Sequence, residues 1–202
     1  GASLAIVFGG ALAGMMGLTI VSIGAFIGAV LAVLLVYALA TRGAATSVTT
    51  MLLAGIAIGA LAGAATSLLE FVASNEMLRR ISLWQMGGLD GATWPRVGLL
   101  AAVAVPVLAG LIGLAPALNA LLLGESEARH LGFAVDAIKT GLIGLVALGV
   151  GVSVALAGAI VFVGLVVPHI VRLILGPDHR VVLPGAALAG ATLLLGADVA
   201  AR

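Results

Sequence analysis

The only lysine of the chain, Lys139, precedes Thr140, and a Lys-Thr pair also ends the phosphate-binding loop of many ATPases. That loop has the pattern G-x-x-x-x-G-K-[ST], in which a glycine comes directly before the lysine. Ile138 stands at that position instead. The glycine-rich cradle of backbone amides that binds phosphate is therefore missing, and the chain is predicted not to hydrolyse ATP by itself.

Ser153 lies in an apolar stretch, where it raises the possibility of an intramembrane serine protease. A serine nucleophile needs a base within hydrogen-bond reach, and His169 is the only candidate near an apolar segment. A serine in a membrane helix commonly bonds to a carbonyl of its own helix. A protease is therefore disfavoured.

The remaining candidates for chemistry are three histidines, His130, His169 and His179. They lack the i, i+4 spacing of a helical zinc pair, and no acidic residue lies one turn from His169. The chain has no cysteine, so a thiolate site is impossible. We predict no catalytic residue, no metal site and no cofactor.

The chain is more polar at 74–95, and two shorter polar stretches interrupt the apolar sequence farther on, the first at 124–132. Glu125 and Glu127 come before Arg129 and His130, the charge order that complements the dipole of a short helix. Glycines flank the stretch on both sides. Two interpretations stay open: a solvated loop, or a short amphipathic helix at the membrane surface that a soluble partner binds.

The second polar stretch begins at Pro168 and continues through the Gly-Pro-Asp-His-Arg cluster at 176–180. A proline inside an apolar segment frees backbone groups that neighbours or water must satisfy. The glycine and proline of the cluster predict a tight turn between two helices.

Composition indicates whether the chain is surrounded by water or by lipid. Of its 202 residues, 63% are hydrophobic and 8% are charged, whereas soluble domains carry about 25% charged residues. The chain therefore has too little polar surface to be soluble alone, and it is predicted to lie in a membrane. Its net charge of +1 is too small for a nucleic-acid-binding surface.

Spanning helices need roughly 20 apolar residues to cross about 30 Å of hydrocarbon. Backbone polar groups inside a bilayer must be satisfied within the element, so helices are the expected form. The predicted fold class is all-α, a polytopic transmembrane helical bundle. An initial fragment at 2–14 precedes the predicted spans, which are 17–41, 48–73, 97–118, 140–160, the shorter 161–175, and 183–201.

Glycines four residues apart recur along these spans. They place small residues on one helix face, where a second helix can approach closely. The pairs are Gly10/Gly14, Gly24/Gly28, Gly55/Gly59 and Gly59/Gly63. They predict a compact bundle of many helices and indicate no particular function.

Basic residues in alternate loops indicate the orientation. One side carries five and the other four, a small excess that favours a cytoplasmic location for the loop at 124–139. The first side holds Arg42, Arg129, Lys139, Arg172 and Arg180, and the second holds Arg79, Arg80, Arg96 and Arg202.

The polar stretch GESEARHLG at 124–132 and the run from Gly158 to Arg202 closely resemble the C-terminal half of the FecCD family. Segments 47–61 and 83–94 resemble two further parts of it. Members are permease subunits of type II ABC importers for vitamin B12, haem and ferric siderophores. The resemblance implies a single permease domain over 1–202, which resembles the end of the third through the ninth of ten spans. Since Gly1 begins inside an apolar stretch, we expect an internal piece that lacks the N-terminal spans and the last span.

The resemblance also implies roles for particular residues. In the family, the loop similar to 124–132 is cytoplasmic and docks on the ATPase subunit. The implied ATPase-coupling residues are Gly124, Glu125, Glu127, Arg129, His130, Leu131 and Gly132. Residues characteristic of the family's second polar stretch are Pro168, His169, Arg172, Asp178, His179 and Arg180.

Two further sites are implied in the same way. A cytoplasmic gate is expected at Ser47, Val48, Thr49 and Thr50. Serine and threonine are also common at the N-cap of a helix, so this segment can be the start of a helix as well. Arg202 is similar to a periplasmic arginine that docks the substrate-binding protein.

The implied protein is a permease of the bacterial inner membrane, surrounded by lipid. Its implied partners are a second permease copy as a homodimer, cytoplasmic ATPase subunits that hydrolyse the ATP, and a periplasmic substrate-binding protein. No nucleic-acid partner is expected. The choice among haem, siderophore and cobalamin stays open. A secondary transporter or channel is the alternative, which ionisable residues near mid-span or an inverted repeat would favour.

Overall fold

The computed structural model describes residues 1–9, 15–42, 45–46 and 48–201, and helices dominate it. The elements in chain order are α1 (Ala2–Gly9), α2 (Met15–Ala40), β1 (Thr41–Arg42), β2 (Ala45–Thr46), α3 (Val48–Val72), α4 (Asn75–Met86), α5 (Trp94–Gly113), α6 (Ala115–Leu121), α7 (Glu125–His130), α8 (Val135–Ala157), α9 (Val163–Leu175) and α10 (His179–Ala201). The predicted all-α class is confirmed, with one small addition. The two-residue strands β1 and β2 pair antiparallel, Thr41 opposite Thr46, in a hairpin that sequence reasoning missed.

Five of the described helices, α2, α3, α5, α8 and α10, are long and apolar enough to cross a membrane. The predicted shorter span at 161–175 is α9, which has 13 residues. Two spans begin earlier than predicted, α8 at Val135 and α10 at His179. Hydropathy marks only where apolar residues start, whereas both helices extend into a polar first turn.

The predicted single span 97–118 is divided between two helices, and each of them contains a proline. α5 continues through Pro106 and ends at Gly113, and Pro116 then lies in the first turn of α6. Proline suits that position because the first amides of a helix have no partner within the helix. The single predicted span is therefore one long helix followed by a separate short one.

The predicted polar segment at 74–95 contains a helix, α4. The Ser74 hydroxyl caps it by accepting from the Met77 N–H at 3.4 Å, and Arg80 pairs with Glu76 at 2.8 Å one turn apart. Ile81 is fully buried while the charged residues are exposed. An amphipathic helix therefore stands where sequence reasoning had only a polar stretch.

The chain divides into two compact units. Unit 1 comprises Gly1–Gly87 with Ala147–Ala159, and unit 2 comprises Gly88–Val146 with Ile160–Arg202. In unit 1, α1 packs on α2, α3 and α4, and α2 packs on α3.

One predicted glycine pair makes the close approach in unit 1. A Cβ on Gly24 would lie 2.9 Å from the Ala5 Cβ, and one on Gly28 would lie 2.9 Å from the Gly1 Cα. These glycines allow α1 and α2 to touch. The other described pairs differ, because nothing lies within 4 Å of a Cβ built on Gly55, Gly59 or Gly63. Gly10 and Gly14 lie outside the described residues.

Unit 2 holds the two polar stretches. Its α10 packs against α9, α5 and α6, and α6 packs against α7. Val167 and Val171 of α9 and Val182 of α10 are buried. A Cβ on Gly185 would lie 3.1 Å from Val171 Cγ1, so this glycine lets α10 run close to α9. Both polar stretches reach the same end of this unit, where α6 and α7 lie.

Candidate functional site

Glycines define both ends of the short helix α7. Gly124, just before Glu125, has φ 111°, and Gly132 has φ 87°. A side chain strains the backbone at these angles, so glycine allows the sharp turns into and out of a six-residue helix. Of the two interpretations left open, the structure forms the short helix, with its acids in the first turn and its basic residues in the last.

The inner side of α7 is apolar. Ala128 is fully buried and forms a cluster with Ala120 of α6 and Val135 of α8, flanked by Leu121 and Phe133. The Phe133 N–H donates to the Ala128 carbonyl at 3.1 Å, which turns the chain from α7 back toward α8. Because an alanine fills this position, α7 can lie close against its neighbours.

Two ion pairs join α7 to the first turns of α8. Lys139 Nζ pairs with Glu125 Oε1, and Arg129 Nη2 lies 3.0 Å from Asp136 Oδ2. Both partners on α7 were predicted to lie at or near an ATPase interface, and in the structure each also pairs within the chain while staying about half exposed. Glu127 and His130 make no ion pair within the described residues, and both are exposed. The outer surface of α7 therefore consists mainly of Glu127, His130 and the following Leu131, which is 60% exposed.

The two ion pairs differ in shielding from solvent, and this sets their expected strengths. The Lys139 side chain is only 11% exposed and its partner Glu125 is 47% exposed, while Arg129 and Asp136 are 52% and 45% exposed. We expect Glu125→Ala to lower the free energy of unfolding by about 0.5–1.5 kcal/mol, and Arg129→Ala by about 0.2–1 kcal/mol. Chemical unfolding of the full-length protein in detergent measures both values.

The matched control for these substitutions is Glu127→Ala, which removes a carboxylate from the same helix without breaking a described ion pair. Its free energy of unfolding should equal that of the wild type. A larger loss from Arg129→Ala than from Glu125→Ala would contradict the shielding argument.

A second cluster joins α6 to the turn between α9 and α10. Asn119 Nδ2 donates to Asp178 Oδ1 at 2.6 Å. Asn119 Oδ1 accepts from the His179 backbone N–H at 2.9 Å and lies 2.8 Å from His179 Nδ1. Arg172 Nη2 lies 3.3 Å from His179 Nε2. One amide therefore contacts two consecutive residues of the turn.

The donors in this cluster fit one tautomer of His179. Arginine can only donate, so His179 Nε2 must accept, and the ring proton then lies on Nδ1 and points at the Asn119 oxygen. The reverse orientation of the Asn119 amide would set its NH₂ group against the His179 backbone N–H. The network therefore satisfies every polar group only as described.

Asp178 caps the start of α10. Its Oδ1 accepts from the Arg180 backbone N–H at 2.9 Å, and its carbonyl accepts from the Val182 N–H at 2.9 Å. The hydrogen bond from Arg180, followed by the one from Asn119, lowers the pKa of the Asp178 carboxyl below its ordinary value. The carboxylate is thus charged at neutral pH, at the helix end where negative charge is favourable.

The decisive comparison is with known families. The sequence pattern of the FecCD transport family matches residues 1–202. The chain belongs to the FecCD transport family.

Relatives agree with this assignment. The hemin transport system permease protein HmuU of Yersinia pestis is 44% identical over 182 residues, which cover 89% of this FecCD chain and 54% of the relative. The cobalamin import system permease protein BtuC of Halobacterium salinarum is 45% identical over 178 residues, covering 88% and 48%. The chain thus spans about half the length of these curated relatives.

A solved structure gives the same answer for the fold. It is an inward-facing conformation of a transporter assigned to the metal-chelate ABC type, with a TM-score of 0.81 and 30% identity. The match covers 98% of this chain and 61% of that one. With five apolar helices of spanning length, this FecCD chain is a multi-pass protein of the inner membrane.

The family residues of the second polar stretch divide into two groups. Arg172, Asp178 and His179 come together around Asn119, and the Arg180 backbone joins them. Pro168 lies inside α9, and His169 is exposed. Sequence reasoning missed Asn119, although it is the one polar side chain between Gly98 and Gly124.

The predicted gate and the predicted docking arginine lie at or beyond the limits of the described residues. Thr49 and Thr50 lie exposed in the first turn of α3, which begins at Val48, and Ser47 lies outside the described residues, as does Arg202. Among the described residues, no group of three or more His, Asp or Glu side chains is placed to hold a metal ion.

Proposed function

We propose that this chain is the membrane-spanning permease part of an ATP-driven importer that moves a metal chelate of the haem, ferric-siderophore or cobalamin type into the cytoplasm. The observation that carries the proposal is the family match over all of residues 1–202. Relatives named for hemin and for cobalamin support the substrate class. ATP hydrolysis is assigned to separate subunits.

The outer surface of α7 is the proposed docking site for those ATPase subunits. Its charged and apolar groups, Glu127, His130 and Leu131, are exposed, while the inner side is packed and ion-paired. A partner that contacts this surface differently with and without nucleotide would shift the permease between two states. Glu125 and Arg129 then hold the helix in place for that contact.

Basic residues support a cytoplasmic location for this end of unit 2. Arg129, Lys139, Arg172 and Arg180 lie there, and Arg96 lies at the start of α5. α5 has 20 residues, so its two ends are about 30 Å apart. Basic residues are enriched in cytoplasmic loops of membrane proteins.

The distribution of charge along the spans speaks against the alternative of a secondary transporter. Charged residues in the five spanning helices lie within five residues of a helix end, as Glu70 in α3 and Lys139 in α8 illustrate. Proton- and ion-coupled transporters use ionisable groups near mid-membrane. An energy source outside the membrane fits this pattern better.

Further roles follow from the family resemblance and belong to the same proposal. Ser47, Val48, Thr49 and Thr50 form a cytoplasmic gate, and Arg202 docks a periplasmic binding protein. The substrate path lies between two permease copies, which form a homodimer.

Reconstitution tests the function. The full-length protein is purified with its ATPase subunits and binding protein, placed in proteoliposomes, and supplied with haem, cobalamin or a ferric siderophore. We expect uptake of one chelate class with ATP and none with a non-hydrolysable analogue. Uptake driven by an ion gradient without ATP would identify a secondary transporter, and would contradict the proposal.

A further inference from the structure

Asn119 makes polar contacts that packing within the membrane does not require. It lies near the end of α6, in an apolar stretch where a leucine would serve membrane packing equally well. Its amide instead contacts Asp178 and His179, which are 59 and 60 residues farther along the chain. A buried or half-buried polar side chain in such a stretch costs desolvation unless its partners are in place.

The same short helix also holds α7. Ala120, the next residue after Asn119, is buried against Ala128, and Leu121 packs beside them. α6 therefore contacts α7 through apolar side chains and the start of α10 through the Asn119 amide. A displacement of α7 reaches α6 directly. α6 also packs on α10, and among the described residues Asn119 is the one polar side chain of α6 that contacts the start of α10.

The directional nature of these contacts distinguishes them from ordinary packing. Apolar surfaces of helices can slide past one another at little cost, but the three Asn119 contacts of 2.6–2.9 Å fix both distance and orientation. His179 is buried, so separating it from Asn119 would remove the acceptor of its backbone N–H and of its Nδ1, at substantial cost. The start of α10 is therefore tied to α6.

We propose that Asn119 is a positioning residue that transmits movement of α7 to α10. The proposal rests on the proposed function, because it assumes that an ATPase displaces α7. Movement of α7 then shifts α6, and the Asn119 amide carries the start of α10 with it. Without this link α7 can move while α10 stays, so ATP is hydrolysed with less transport.

The test measures substrate transported per ATP hydrolysed by the full-length complex in proteoliposomes. Asn119→Leu removes all three contacts and keeps the volume similar, and Asn119→Asp sets a second carboxylate against Asp178. We expect both to lower the transport-to-hydrolysis ratio about tenfold, a typical size for a coupling effect. Hydrolysis itself should continue.

A charge-neutral exchange serves as the rescue. The double variant Asn119→Asp/Asp178→Asn keeps the net charge and restores a donor–acceptor pair between the two positions. In the wild type, Asp178 Oδ1 accepts from both Asn119 and the Arg180 N–H. The new amide at 178 must therefore turn so that its oxygen caps the Arg180 N–H and its NH₂ donates to the new carboxylate at 119, which still accepts from His179. We expect this variant to recover a ratio within about threefold of the wild type.

The outcomes separate the two proposals. If the wild-type complex shows no ATP-driven uptake, the proposed function fails, and this inference fails with it. If the wild type transports and Asn119→Leu keeps its ratio, the role of Asn119 is overturned while the function stands. If transport and hydrolysis fall in the same proportion in Asn119→Leu, the role of Asn119 is purely structural and the inference is overturned. The same holds if the double variant Asn119→Asp/Asp178→Asn does not recover the transport-to-hydrolysis ratio.

Discussion

Ala128→Glu is expected to release α7 from the end of unit 2. Ala128 is fully buried between α6 and α8, so a carboxylate there enters an apolar cluster that offers no partner of opposite charge. Leaving an uncompensated charge in such a place costs about 3–5 kcal/mol. Hydrogen exchange of residues 124–135, measured on the full-length protein in detergent, should show loss of protection.

The matched control is Ala134→Glu, the same chemical change six residues later in the same segment. Ala134 is exposed and comes directly before α8, whose N-terminus favours negative charge. Protection should be unchanged there. Equal protection of 124–135 in both variants would mean that Ala128 does not anchor α7. Under the proposed function, only Ala128→Glu should also prevent co-purification of the ATPase subunits.

Gly158→Ala is the second substitution with a large expected effect, and it acts in unit 1. Gly158 has φ 75°, and a Cβ there would lie 2.6 Å from the Trp84 carbonyl oxygen and 2.9 Å from the Gly87 Cα. Both obstacles are backbone atoms at the end of α4, which cannot rotate away. The backbone strain and the overlap together should cost about 2–4 kcal/mol.

The Trp84 carbonyl links the end of α4 to the segment after α8. It accepts from both the Gly87 N–H and the Ala159 N–H at 3.3 Å, so the end of α4 and the segment after α8 share one acceptor. An alanine at 158 would push them apart. Chemical unfolding in detergent, followed by circular dichroism, measures the loss.

Gly141→Ala is the control for that measurement. Gly141 lies inside α8, which ends just before Gly158, and nothing lies within 4 Å of a Cβ built on Gly141. Alanine favours helix over glycine by about 0.5–1 kcal/mol, so this variant should be as stable as the wild type or slightly more stable. A similar loss from both substitutions would contradict the role of the Gly158 contact.

The family and the membrane class were readable from the sequence alone. Charge scarcity requires an apolar solvent, and apolar runs of spanning length between polar breaks predict helices. The glycines at 124 and 132 marked the ends of α7, because positive φ at a helix end is a local property of the chain. The FecCD resemblance rested on the same local runs of residues.

The partners of polar side chains were decided only by the tertiary structure. Glu125 and Arg129 were predicted to lie at or near an interface with a separate subunit, and the structure adds an ion pair with α8 for each of them. Asn119 drew no attention, although it meets Asp178 and His179 across about 60 residues of chain.

The physical reason is the distance along the chain over which each feature depends on other residues. Hydropathy, helix ends and charge order depend on neighbours within a few turns, so a sequence displays them directly. The partner of a side chain depends on how helices distant in sequence pack together. The same sequence pattern of charged residues occurs whether a charge contacts a second protein or its own chain. The sequence thus marked 124–132 as a solvated loop or a short helix, and the packing against α6 and α8 determined which residues of α7 remain outward.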